Sequence, residues 1–334
     1  PVVDVFGLLP GREQGPIPIS GEVALTHDPA SESLFVRGQE IVGPIHVAHK
    51  RESEGSKETT FHVQHDLTRQ HDEIRLTDLT VTADRPGGRP DRMTASGVVK
   101  IAGQPGAQFR MEIASLDAAW HAAMFSRPDP APQISNNQAE ERDHEARTEP
   151  SSSPAVFTNF DAEVAIGSIS YNKLMIGPGR VVVKGTGERL EVKLAPTGIA
   201  DGLVDASVTV VRQDKQPQLT WSGNGRGLSV EPLLQAVQPG QEAILKGTGS
   251  VRTSGSSLLN AGPFRKHASG IFNFNIVDGQ FIHSPMLQFL AKYTHISELE
   301  RMGFDGFQGK VRLEGGWIRA DSLLVTGSLA SMEG

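Results

Sequence analysis

The chain has 334 residues, a formal net charge of −7 and no cysteine. That balance gives no basic footprint for nucleic acid, disfavours broad adhesion to anionic lipid, and rules out a disulfide framework or thiolate metal site. An apolar share of 37% with 36 glycines and 21 prolines suits many short strands joined by tight turns better than layers of helices.

An apolar cluster, Val2 to Leu9, opens the chain and leads into a Gly/Pro-rich stretch. Period-two alternation, the mark of a half-buried strand, starts at Ile17 and continues through Ile19, Val23 and Leu25. It resumes at Leu34–Val36, Ile45–Val47, Thr60–Val63, Ile74–Val81, Thr94–Ile101 and Phe109–Ile113. Pro and Gly keep residues 85–90 out of any sheet interior. Asp117 then reads as the N-cap of a short helix with Trp120, Met124 and Phe125 on one side. Residues 127–155 are dominated by Pro, Ser, Glu, Asn and Arg, too polar to offset their ordering entropy. They read as a disordered linker or a loop insertion.

Strands resume after Val156, with alternation at Phe160–Ile166, Val181–Val183, Leu190–Leu194, Ala206–Val210 and Leu219–Trp221. Asp201-Gly202 and Asn224-Gly225 are hairpin-type dipeptides. Ser229 reads as the N-cap of a short helix, with Pro232 in its first turn and Leu233, Leu234 and Val237 facing inward. Two strands and a capped helix thus occur twice, at Val98–Phe125 and at Val208–Val237, which predicts an elongated array of stacked units. The expected division is a first β unit over 1–126, the polar segment 127–155, a second unit over 156–257 and a C-terminal unit over 258–334.

No residue cluster carries an enzyme signature. His62, His65, Asp66, His71 and Asp72 are metal-ligand types, but strand positions three apart face opposite sides, so they read as solvated polar positions. The glycine runs at Gly185–Gly187, Gly223–Gly227 and Gly247–Gly249 match no phosphate-loop spacing and read as turns. Nucleophile elbow, zinc-helix and EF-hand patterns are also missing. The expectation is a non-enzyme with no catalytic residue, no metal and no cofactor.

The last unit has the most distinctive order. A strand, Gly270–Val277, is followed by Asp278-Gly279 read as a turn, and by an amphipathic helix over 284–302. Phe304-Asp305-Gly306-Phe307 and two strands, Lys310–Glu314 and Trp317–Val325, complete it. This order resembles the C-terminal part of the AsmA-like family of bacterial envelope proteins, over about residues 155–334. The resemblance implies a mainly β fold, an elongated, twisted antiparallel sheet curled into a half-pipe groove, built from repeats with a few short helices. It also implies a periplasmic setting, a role in outer-membrane biogenesis, and an inner-membrane anchor outside this sequence, which is expected to be a piece of a longer protein. The family is associated with moving phospholipids between inner and outer membranes, so the implied partners are phospholipid acyl chains and the two membranes, the latter through parts outside this chain.

On that reading the apolar strand faces line the groove. The residues expected there are Val164, Ile166, Val192, Leu194, Val208, Val210, Leu219, Trp221, Phe272, Phe274, Ile276, Val311 and Leu313. Two other readings stay open. A non-conducting envelope scaffold that binds proteins predicts apolar faces sealed against a second sheet. A glycan-binding or polysaccharide-active β-solenoid needs aromatic platforms, for which 3 Trp and 2 Tyr are few.

Overall fold

The computed structural model of the chain describes residues 18–47, 57–85, 88–125, 159–172, 174–213, 216–238, 244–259, 264–282, 285–295, 302–327 and 331–333. They form one large curved, mainly antiparallel β-sheet with short helices at its margins. The first six strands are β1 (Ile19–Asp28), β2 (Ser33–Val47), β3 (Lys57–Gln70), β4 (Glu73–Asp84), β5 (Asp91–Lys100) and β6 (Gly106–Asp117). Each pairs antiparallel with the next. Helix α1 (Ala118–Phe125) follows β6, and the chain re-enters the sheet as β7 (Asn159–Ile166), parallel to β6. A parallel neighbour requires the chain to travel back along the strand before re-entering. The polar segment expected at 127–155 lies outside the described residues.

Beyond the junction stand β8 (Ile169–Tyr171), β9 (Leu174–Ile176), β10 (Gly179–Thr186), β11 (Arg189–Ile199) and β12 (Gly202–Gln213). The hairpin of β8 and β9 continues β7 and β10, bridging from β6 to β11. Strand β13 (Gln216–Ser229) leads into α2 (Val230–Val237), and β14 (Leu245–Leu258) into α3 (Phe264–His267). Then come β15 (Ser269–Phe281), α4 (Pro285–Thr294), β16 (Gly303–Glu314), β17 (Trp317–Thr326) and β18 (Ser331–Glu333). From β10 to β18 the pairing is again a plain antiparallel meander. The ladder runs unbroken from the first expected unit to the last.

All of α1, α2 and α4 leave strands that end on the same side of the sheet, giving a helix rim. On the opposite, hairpin rim the β1–β2, β3–β4, β5–β6, β10–β11 and β16–β17 connections are short turns, and α3 lies between β14 and β15. At the β1–β2 turn the Ser31 hydroxyl (2.6 Å) and the Ala30 N–H (3.0 Å) donate to the Asp28 carboxylate. Those bonds hold its pKa below the ordinary carboxylate value.

The buried core is small and sits under α2. Leu233 packs toward Leu174, Ala200 and Ala236, while Leu234 packs toward Val230, Ile276 and Phe304. Val237, expected inward, is 79% exposed, because the two clusters use up the sides of α2 that face the sheet. Ser229 does stand at the N-cap position, but its hydroxyl donates to Asp201 (2.8 Å) instead of capping the helix. The helix expected over 284–302 is described only as α4, and residues 296–301 lie outside the described set.

Two dipeptides read as turns are not turns. Asn224-Gly225 lies inside β13, and Asp278-Gly279 lies inside β15, where Asp278 takes φ 49° and the register shifts. Asp278-Gly279 lies in a β-bulge, and Asn224-Gly225 directly precedes one at Arg226-Gly227, where Gly227 takes φ 65°; a bulge absorbs one extra residue and bends the strand. The glycine runs at 223–227 and 247–249 are likewise within strands; only Gly187 sits in a hairpin turn.

A buried polar cluster fixes α1. Asp117 caps the helix by accepting the Trp120 N–H at 3.0 Å. Asp91, 2% exposed, accepts the Asp117 N–H at 3.1 Å, and His121 Nε2 lies 2.9 Å from its second oxygen. Arg85 reaches both acids, with Nε 3.2 Å from Asp91 and Nη1 2.7 Å from Asp117. Removing one member strands the others away from water. Asp91→Ala should lower stability by about 3 kcal/mol, read as a fall in the urea midpoint. Asp91→Asn, which keeps an acceptor for Asp117, should lose clearly less.

Candidate functional site

The register lines up side chains into rows that run across the strands. Paired residues in a sheet share a face, so a row can be followed strand by strand. One row passes through Leu25, Val36, Leu67, Leu76, Gly97, Phe109, Ala162 and Val183. It continues through Val192, Val208, Trp221, Gly255, Gly270, Leu313 and Ile318. Every member is apolar or glycine, across both meanders and the parallel junction between them.

All thirteen residues expected to line a groove lie on this one face. Val192, Val208, Trp221 and Leu313 belong to the row just traced, and Val164, Leu194, Phe272 and Val311 to its neighbour. Val210 and Leu219 pair nearer the hairpin rim, Ile166 and Phe274 nearer the helix rim, and Ile276 under α2. The opposite face is polar. Lys193, Ser207, Ser222 and Ser254 succeed one another there, and Arg312 meets Asp321 at 2.8 Å. Its Glu191 is held below the ordinary carboxylate pKa by a hydrogen bond from Lys193.

Burial distinguishes an open face from a sealed one. In a sandwich such residues would be shut against a second sheet. Here only Ile166 and Ile276 of the thirteen are buried, both toward the helix rim, and the other eleven are half-buried. Their partial cover comes from neighbours in the same sheet. Among the described residues, no second sheet lies over the middle of the face.

Large side chains on this face lie flat over glycines in adjoining strands. A Cβ placed on Gly255 would collide with the Trp221 indole, and one on Gly270 would come within 2.9 Å of it. Phe274 covers Gly309 in the same way (2.6 Å), and Phe109 covers Gly97. Aromatic area therefore faces the open side as a smooth lining without standing up into it. The glycines have a steric reason to be there, which the period-two pattern alone does not reveal.

On the polar face, at the hairpin rim beside the parallel junction, a hollow of about 650 Å³ is lined by Lys100, Gln108, Asp161 and Lys184.

The histidines separate as their spacing requires. His62 lies on the polar face, 2.9 Å from Asp84, and exposed His71 lies at the β3–β4 turn. His65, expected to be a solvated polar position, is half-buried on the apolar face between Val63 and Leu67. Its Nδ1 is 3.3 Å from Glu40, which shares that face. The signal available in the sequence was the Val-x-His-x-Leu alternation at 63–67, which puts the imidazole on the apolar side. Among the described residues no three metal-ligating side chains converge, and no helix is long and apolar enough to cross a membrane.

No protein-family model, curated protein or solved structure matches this chain. The sheet itself is the ground for any functional reading.

Gly255→Val should lift the indole of Trp221 off the lining. The crowding should cost about 1–3 kcal/mol and shift the tryptophan emission, both measured in one denaturation series.

Proposed function

We propose that this chain carries phospholipid acyl chains along its apolar face, as one segment of a bridge-like lipid transporter. The observation that carries the reading is the uninterrupted apolar row, on a face that no second sheet covers among the described residues. Large contiguous apolar patches mark sites of interaction. Sixteen strands stand side by side, giving a path of about 70 Å at about 4.8 Å per strand. The acyl region of one leaflet is about 15 Å deep, so the face holds several lipids in succession.

The energetics suit movement. Each methylene withdrawn from water stabilises the bound lipid by about 0.8 kcal/mol. The lining repeats with little change from strand to strand, so a lipid that slides by one strand exchanges one set of contacts for an equivalent set. No step needs a cofactor, and from β10 to β17, where the central rows carry no charge, the polar headgroup stays in water. The resemblance to AsmA-like proteins gives this proposal its setting: the periplasm, between inner and outer membranes, with the anchor in a segment outside the sequence given.

Charge on the lining tests the reading. Val192→Asp combined with Val208→Asp lies in the open middle of the face, away from the clusters under α2. The double variant should keep its β-sheet circular dichroism and load less than about a fifth of the fluorescent phospholipid taken up by the unaltered chain, since each carboxylate must be desolvated by an overlying acyl chain. Unchanged loading by the folded variant contradicts the proposal.

A further inference from the structure

Charge enters the apolar face in β1–β3. Between β10 and β17 the two central rows carry no charged side chain, whereas β2 and β3 place Glu40 and His65 among Val63, Leu79 and Val81. Their side chains are 18% and 23% exposed, and they lie 3.3 Å apart. Both rest over Gly38, the cross-strand partner of His65. A Cβ on Gly38 would stand 2.5 Å from the imidazole and 2.6 Å from Glu40 Oε1. The pair therefore occupies a seat that only glycine leaves free.

We propose that Glu40 and His65 form a headgroup subsite for lipids bearing a primary ammonium, of the phosphatidylethanolamine class. The inference rests on the lipid-carrying reading above. A carboxylate offers about four acceptor positions, and His65 Nδ1 meets one oxygen only. The remaining capacity, set in an apolar wall, is matched by a group rich in donors and positive in charge, joined to acyl chains that the neighbouring valines and leucines can cover. An ammonium supplies three donors and a charge-assisted bond. A headgroup with a phosphodiester and hydroxyls alone brings a second anion to the carboxylate. The subsite would thus select among lipids at the β1–β3 end of a face that is otherwise indifferent to headgroup.

The test reads the bound lipid locally. Leu79→p-benzoylphenylalanine places a photocrosslinker on the residue paired with His65, and Val311→p-benzoylphenylalanine places one where the lining is uncharged. The purified chain is irradiated with vesicles of equal phosphatidylethanolamine and phosphatidylglycerol with matched acyl chains, and the adducts are weighed. At Leu79 the ethanolamine lipid should exceed the glycerol lipid at least about fivefold, on the order of one charge-assisted hydrogen bond. At Val311 the ratio should be about one. Glu40→Gln should bring the Leu79 ratio close to that at Val311, and Gly38→Val, which unseats the pair without changing a charge, should lower it too. Adducts at Val311 with none or no preference at Leu79, or a preference that survives Glu40→Gln, overturn the subsite alone. No adduct at either position overturns the lipid-carrying reading with it.

Discussion

The constraint on which the molecule depends is that one face of the sheet stays apolar through every change of register. Strict alternation would not achieve this. Leu76 and Leu79, Leu194 and Thr197, Gly225 and Leu228, and Ile276 and Gly279 are each three residues apart, a spacing that puts two side chains on opposite faces of a regular strand. At each of these places the pairing shifts by one residue. The bulge takes up the extra residue, and both members of the pair return to the apolar side. Bulges also bend and twist the strand that carries them, so the devices that keep the face continuous also contribute to its curvature.

Among the described residues the sheet is a single layer, which must find its stability without a second sheet. The backbone ladder satisfies the polar main chain, and cross-strand pairs supply side-chain contact at modest gain per pair. Glycines beneath Trp221, Phe274 and Phe109 let these rings spread over adjoining strands and bury area within the layer. The compact packing that does exist lies along the helix rim, where α2 covers Ile276 and Phe304 and the Asp91 cluster holds α1. Among the described residues no second sheet covers the middle of the face.

Much of this was legible in the sequence. Period-two runs located the strands, and the repeated pattern of two strands and a helix recurs as β5–β6–α1 and β12–β13–α2, with both helices on one rim. The thirteen residues expected to line a groove share a face, because each belongs to an alternating run. Two of the misreadings share a physical source. Asn224-Gly225 and Asp278-Gly279 have the composition of hairpin turns, but a bulge needs the same permissive backbone as a turn, and composition alone does not separate the two. The glycines beneath the rings are opaque in sequence for a different reason: what excludes a side chain at Gly255 is Trp221 on the neighbouring strand, 34 positions away in sequence and visible only once the register is known. His65 was misplaced because it was grouped with nearby polar residues, while its alternation with Val63 and Leu67 was the better guide.

The central claim is that the uncovered apolar face holds acyl chains. The most direct test is mass spectrometry of lipid extracted from the purified chain, beside a delipidated sample re-exposed to phospholipid vesicles. The account predicts phospholipid at or above about one molecule per chain, with uptake restored in the second sample, given a face long enough for several leaflet depths. A chain that emerges free of lipid and refuses it on re-exposure would contradict the account and point to a face that serves protein partners instead.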